Sequence, residues 1–227
     1  MTATCPSCGC DFERFGSHWA RSECTRPPFT EHQIDLLVGV LMGDGDIHGQ
    51  SNKNPHFRVR MTNPEFLNYL DECLGILSTG VFLDRDAEYQ YRQAADSDHE
   101  KFTVSNREKY NDLYGLRTRS HPQLHEFRQW YKTGEKRFPS ELTLTPTIAK
   151  MWYVCDGWLA QEKDHQPRVM IKATNEADRA EYLQELFTEN GFNPHFTRTE
   201  LQFTTGETQQ LLEWIGSPPP GFKYKWP

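Results

Sequence analysis

Apolar residues along this chain follow two periodicities, and the switch between them happens twice in the same way. Thr30 and Gln33 form a capping-box pair ahead of Ile34, Leu36, Leu37, Val40 and Leu41. That spacing predicts a helix ending at Gly43-Asp44-Gly45. Thr145-Pro146, an N-cap residue with proline at the first helical position, opens a second such helix. It runs through Ile148, Met151, Trp152 and Val154 to Cys155-Asp156-Gly157. Alternation then takes over. His56, Arg58, Arg60 and Thr62 share one face of a predicted strand, with Phe57, Val59 and Met61 on the other. Arg168, Met170, Lys172 and Thr174 stand against Val169, Ile171 and Ala173 in the same fashion. Each alternating stretch ends in Thr-Asn, from which helices are predicted over 63–77 and 175–190. Further strand-like stretches follow at 101–105 and 196–204.

The two series keep register at an offset of 112 residues, and Asp44 to Asn63 and Asp156 to Asn175 both span 19 positions. The layout is helix, strands, helix, strands, helix, given twice, which predicts an α+β pseudo-dimer. The first half covers 29–119, a linker helix and strand cover 120–144, and the second half covers 145–227. An aspartate at the C-terminal end of an apolar helix is disfavoured by the negative end of the helix dipole. If pseudo-symmetry packs the two helices together, Asp44 and Asp156 also approach each other. A divalent cation between them resolves the conflict. Gly39 and Gly43, four residues apart, leave one helix face small enough for close approach.

The first 28 residues are of another kind. Four of the six cysteines, Cys5, Cys8, Cys10 and Cys24, lie in the first 24 positions, which points to a metal rather than a disulfide scaffold. Cys5 and Cys8 form a C-x2-C knuckle; nine residues lead on to His18 and five more to Cys24. Two thiolates from a turn, with an imidazole and a thiolate from a following helix, can complete a tetrahedron around Zn²⁺. Phe12 and Phe15 would supply the small core of such a finger, whose spacing is similar to CCHC-type zinc fingers. Cys10 could replace Cys8 as a ligand.

Composition first argues against the obvious partner. The 227 residues carry 32 Asp+Glu against 25 Lys+Arg, a net charge of −7, which opposes non-specific attraction to nucleic acid. The excess is uneven, however. Residues 101–147 hold nine Lys/Arg and five Asp/Glu, or +4. With 36% hydrophobic residues and no apolar run near the roughly 20 of a membrane span, a soluble chain without a membrane partner is expected. The N-terminus lacks a basic and apolar leader, so the expected location is intracellular, in the cytoplasm or nucleoid.

Leu37-Val38-Gly39-Val40-Leu41-Met42-Gly43-Asp44-Gly45 resembles the first signature of the LAGLIDADG homing endonucleases. Ala149-Lys150-Met151-Trp152-Tyr153-Val154-Cys155-Asp156-Gly157 is similar to the second, in the single-chain, two-motif branch. Gly134 to Pro139 resembles that family's Gly-x-Lys-x-x-Pro element, and Tyr224-Lys225-Trp226 its terminal Tyr-Lys-apolar element. The resemblance implies two αββαββα halves forming a DNA-binding saddle in a monomer with internal pseudo-two-fold symmetry, usually intron-encoded. It implies a catalytic set of Asp44, Asp156, Lys136 and Lys225. Asp44, Asp156 and the main-chain carbonyls of Gly43 and Cys155 would ligate Mg²⁺ (or Mn²⁺). The lysines would stabilise the pentacovalent phosphate or polarise the attacking water. The reaction implied is hydrolysis of both strands of a long, non-palindromic double-stranded DNA target, leaving 3′ overhangs.

On the strand faces, Arg58, Arg60, Arg168 and Lys172 are expected at guanine edges, and Asn63 and Asn175 at adenine or phosphate. Arg198 and Gln202 on 196–204 are further candidates. Met170 stands where the first copy has Arg58, so the half-sites are expected to be read differently. Met151 and Lys150 are unusual at a close helix interface. The competing readings are a non-cleaving regulator on the same fold and an intron maturase.

Overall fold

The structure is a computed structural model that describes residues 3–13, 15–21, 24–95, 107–132, 134–161 and 166–227. It opens with β1 (Ala3–Thr4), β2 (Asp11–Phe12) and α1 (Phe15–Arg21), in which β1 and β2 pair antiparallel.

The first half begins at α2 (Glu31–Met42), whose predicted capping box is present: Thr30 accepts from the Gln33 N–H and Gln33 returns the bond to Thr30. It continues through β3 (Asp46–His48), β4 (His56–Met61) and α3 (Pro64–Leu74), then β5 (Ser78–Arg85), α4 (Ala87–Ala95) and β6 (Leu113–Thr118). A 3-10 helix over Pro122–Tyr131 follows it. The second half runs α5 (Pro146–Asp156), β7 (Gly157–Ala160), β8 (Arg168–Lys172), α6 (Ala180–Thr188), β9 (His195–Thr197), β10 (Glu200–Gln202) and α7 (Thr205–Ile215). Thr145 caps α5 by accepting from the Ile148 N–H, as its sequence predicts.

The sheets repeat each other. One is ordered β3-β4-β6-β5 and the other β7-β8-β10-β9. Even the register is shared. Asp46 pairs with Arg58 and His48 with His56, while Trp158 pairs with Met170 and Ala160 with Arg168, each 112 positions on. Phe57, Val59, Val169 and Ile171 point from the sheets into one continuous core with the buried faces of α2 and α5. This gives the α+β fold of two pseudo-symmetric αββαββα halves, the first interrupted by α4 between β5 and β6.

Several expectations change in detail. The stretch 196–204 is not one strand but a hairpin, broken at Arg198, whose φ of +52° is left-handed. The stretch 101–105 lies outside the described residues. The second strand pair of the first half is formed by β5 and β6, with α4 between them. Residues 120–144 supply the 3-10 helix but no strand among the described residues. The helix predicted over 175–190 starts as a 3-10 turn, Thr174–Arg179, before α6.

Candidate nuclease centre

Helices α2 and α5 meet through small residues. A Cβ on Gly39 would lie 2.5 Å from the Ile148 carbonyl and 2.6 Å from the Met151 Cβ. One on Gly43 would collide with the Cys155 side chain and come 3.3 Å from an Asp156 carboxylate oxygen. Met151 is therefore no obstacle: it is fully buried in the notch that Gly39 leaves. Lys150, half-buried, points its ammonium toward Gly216 instead. Thr145 adds a hydrogen bond to Asp35 at 2.8 Å across the same helix pair.

This close approach brings Asp44 and Asp156 to the junction of two helix C-termini. Burial pushes both carboxyls above their ordinary pKa, and for Asp156 the charge of Asp44 adds to it, bringing its value to about 6. Lys136 and Lys225 pull in the opposite direction at both acids. Between them the Cys155 thiol is held neutral, its pKa raised chiefly by burial.

The lysines are set symmetrically. Lys136 donates to the Gly43 carbonyl and, at 3.1 Å, to that of Gly45. Lys225 donates to Val154 at 2.7 Å and Gly157 at 2.6 Å. Each ammonium thus neutralises the negative end of one signature helix. Burial lowers the pKa of both, while Asp44 and Asp156 resist that shift. Each also opens onto the other helix's acid. A cleft of about 810 Å³ holds Asp44, Asn63, Cys155 and Lys225, and one of about 240 Å³ holds Asp156, Asn175, Gly43 and Lys136. Asp44 and Asn63 in one cleft correspond to Asp156 and Asn175 in the other.

Other residues position the lysines, and sequence reasoning missed them. Glu176 is fully buried and accepts from the Phe138 N–H at 2.7 Å and from Arg179 at 2.8 Å. Arg137 reaches the Asn175 carbonyl and clasps Asp178 at 2.7 and 2.8 Å, which pins the strap carrying Lys136. On the other side the Tyr153 hydroxyl donates to the Lys225 carbonyl at 2.7 Å. Asn63 is spent structurally: its amide oxygen caps α3 at Phe66 and its NH₂ holds the Gly221 carbonyl at 2.9 Å. Its amide thereby fixes the C-terminal segment beside the cleft. Asn175, by contrast, is exposed in its cleft.

The outer sheet faces differ between the halves. In the first half, Asp46, Arg58 and Arg117 form one cross-strand row, with Arg58 bonded to Asp46 at 3.1 Å. Arg60 lies 3.5 Å from Asp84. The equivalent row in the second half is Trp158, Met170 and Gln202, with Trp158 37% exposed. Lys172 is exposed beside Glu200, Arg168 is half-buried beside Ala160, and Arg198 is exposed at the hairpin tip.

At the N-terminus the structure gathers Cys5, Cys8, His18 and Cys24, whose ligand atoms all lie within 4.8 Å of one another. Cys10 is not in that group; its thiol turns back to the Cys8 carbonyl. Phe12 stacks on the His18 ring, as a finger core would require, while the Phe15 side chain lies outside the described residues. Trp19 is buried beside Cys5.

Two like halves, each presenting an antiparallel sheet, and two acids at the meeting ends of packed helices define a LAGLIDADG-type saddle. Residues 34–210 match the LAGLIDADG DNA endonuclease family, and the chain belongs to it. The structure of the homing endonuclease I-WcaI bound to its DNA recognition sequence is similar to it, with a TM-score of 0.69 over 88% of each chain at 12% identity. No curated protein matches the sequence. Among the described residues no helix is long and apolar enough to cross a membrane.

Proposed function

We propose that the protein is a monomeric, site-specific homing endonuclease that hydrolyses one phosphodiester in each strand of a long, non-palindromic duplex, leaving 3′ overhangs. The observation that carries this reading is the pair of clefts, each joining one acid to a lysine anchored on the opposite helix. One cleft serves each strand. The donor set fits a hard divalent cation such as Mg²⁺ or Mn²⁺: Asp44 and Asp156 are oxygen donors whose charges burial makes costly unless neutralised. The Gly43 carbonyl already accepts from Lys136, so the carboxylates would be the principal ligands, with the Cys155 carbonyl a further oxygen donor. Such a metal supplies charge to the phosphate and lowers the pKa of bound water. Lys136 and Lys225 hold positive charge where the phosphate gains negative charge, and their carbonyl anchors keep them there without reorganisation.

Recognition follows from the sheet rows. Arg58, held by Asp46, and Arg60 present donors suited to guanine, whereas Trp158, exposed beside the buried Met170, offers apolar surface suited to a thymine methyl. Lys172, Arg168, Arg198, Gln202 and Asn175 complete the second face. The two half-sites are therefore read by different chemistry. The similarity to a solved homing endonuclease bound to its recognition sequence supports this choice of substrate.

The test is selection of cut products from a randomised duplex library with Mg²⁺. Wild type is expected to yield a non-palindromic consensus cut on both strands. Asp44→Asn and Asp156→Asn are expected to bind that site and lose cleavage by more than about 10³-fold. A wild type that enriches bound but never cut DNA would favour the regulator reading.

A further inference from the structure

We infer that Cys5, Cys8, His18 and Cys24 form a structural zinc centre whose module braces the rear of the first half, away from the nuclease centre. The inference is independent of the nuclease reading. Three sulfurs and one imidazole nitrogen within 4.8 Å of one another match the edges of a zinc tetrahedron, about 3.8 Å between thiolates. Cys8 Sγ and His18 Nε2 are 3.7 Å apart. The knuckle is built by backbone: Gly9 donates to the Cys5 carbonyl at 2.8 Å, and the Cys5 N–H donates to Cys10 at 2.8 Å. Gly9 has a φ of +70°, which a residue with a side chain rarely adopts.

Where this module sits decides what it does. Cys5 and Trp19 are buried together, and Ile76 of the main body packs against them. Ile76 lies in the 3-10 turn Gly75–Leu77, directly after α3. Gln33, in the first turn of α2, donates to the Cys73 carbonyl at 2.9 Å, so this turn lies beside the N-terminal end of α2. Asp44 follows the C-terminal end of the same helix, whose 12 residues span about 18 Å. The module and the acids therefore stand at opposite ends of α2.

The connection reinforces the docking. The Pro27 carbonyl meets the His121 ring at 3.2 Å, and the Phe29 N–H donates to Gln123 at 2.8 Å. Ser7 ties the knuckle to the Thr25 carbonyl at 3.1 Å. Zinc closes the module, the module presents Trp19, and Trp19 with Cys5 covers Ile76.

The full-length chain, purified with and without added Zn²⁺, is assayed for bound metal and for amide hydrogen exchange. About one zinc per chain is expected in wild type, a loss of more than about 90% in His18→Ala, and recovery in His18→Cys, which keeps four ligands. Removing zinc from wild type with a chelator is expected to lower Tm by about 5 °C or more. Exchange should speed up over 73–78 and stay unchanged over 153–157. Ile76→Asp is expected to retain zinc while exchange over 73–78 rises as in the chelated protein. Absence of stoichiometric zinc in wild type given excess Zn²⁺ would overturn the metal site. Bound zinc whose removal leaves 73–78 unprotected no further than before would overturn the brace. Neither readout involves DNA, so failure here is distinct from failure of the nuclease reading.

Discussion

Asp156 has a raised pKa of about 6, chiefly through burial and then through Asp44, and this makes stability depend on pH. Its unfolded-state value is near 4. Below that value the carboxyl is neutral in both states and its full favourable contribution is present. As pH rises through about 6 the folded protein must ionise a buried group, and that contribution is lost. The metal-free protein is thus expected to be less stable at pH 8 than at pH 5. Asp156→Asn should recover on the order of 1–2 kcal/mol at pH 8, after allowance for solvent screening. Thermal melts in EDTA check this, and adding Mg²⁺ should stabilise wild type more than the variant. A wild type whose stability rises across that window would contradict the assignment.

At the scale of elements, the helix junction gives a test in which two effects have opposite signs. Alanine in a helix interior is favoured over glycine by about 1 kcal/mol. At Gly39, however, the new methyl would meet the Ile148 carbonyl at 2.5 Å and Met151 at 2.6 Å, so overpacking at about 1–3 kcal/mol wins. Gly39→Ala is expected to lower the urea midpoint, whereas Gly206→Ala on open space in α7 should not. The elements also explain what was legible. Helices α2 and α5 declare themselves by caps and apolar period, and β4 and β8 by strict alternation. Strand β5 was hidden because register shifts between Ser78 and Val81 and between Leu83 and Arg85 break its period of two. The 196–204 hairpin was hidden because its turn places Arg198, not glycine, in the left-handed region.

For the whole molecule, the 112-residue offset carried most of the information. It located the two helix-end aspartates and the strands β4 and β8 from sequence alone. What it could not locate were side chains whose partners lie far along the chain: Asn63 on Gly221, Glu176 under Phe138, and Ile76 beneath the finger. The −7 charge also acquires a different meaning. Arg58 and Arg60 are held by Asp46 and Asp84, so part of the acidic excess serves to orient basic side chains on the sheet face. A net negative chain has weak non-specific attraction to DNA, so its affinity depends more on specific contacts. If the two acid–lysine clefts each serve one strand, removing one lysine must affect the strands unequally. The most direct measurement is cleavage of the selected duplex with each strand separately end-labelled. Lys225→Met is expected to slow one strand at least tenfold more than the other, and Lys136→Met the opposite strand, about 1.4 kcal/mol of selectivity in each case. Equal slowing of both strands by both variants, or no cleavage by wild type in Mg²⁺, would contradict it.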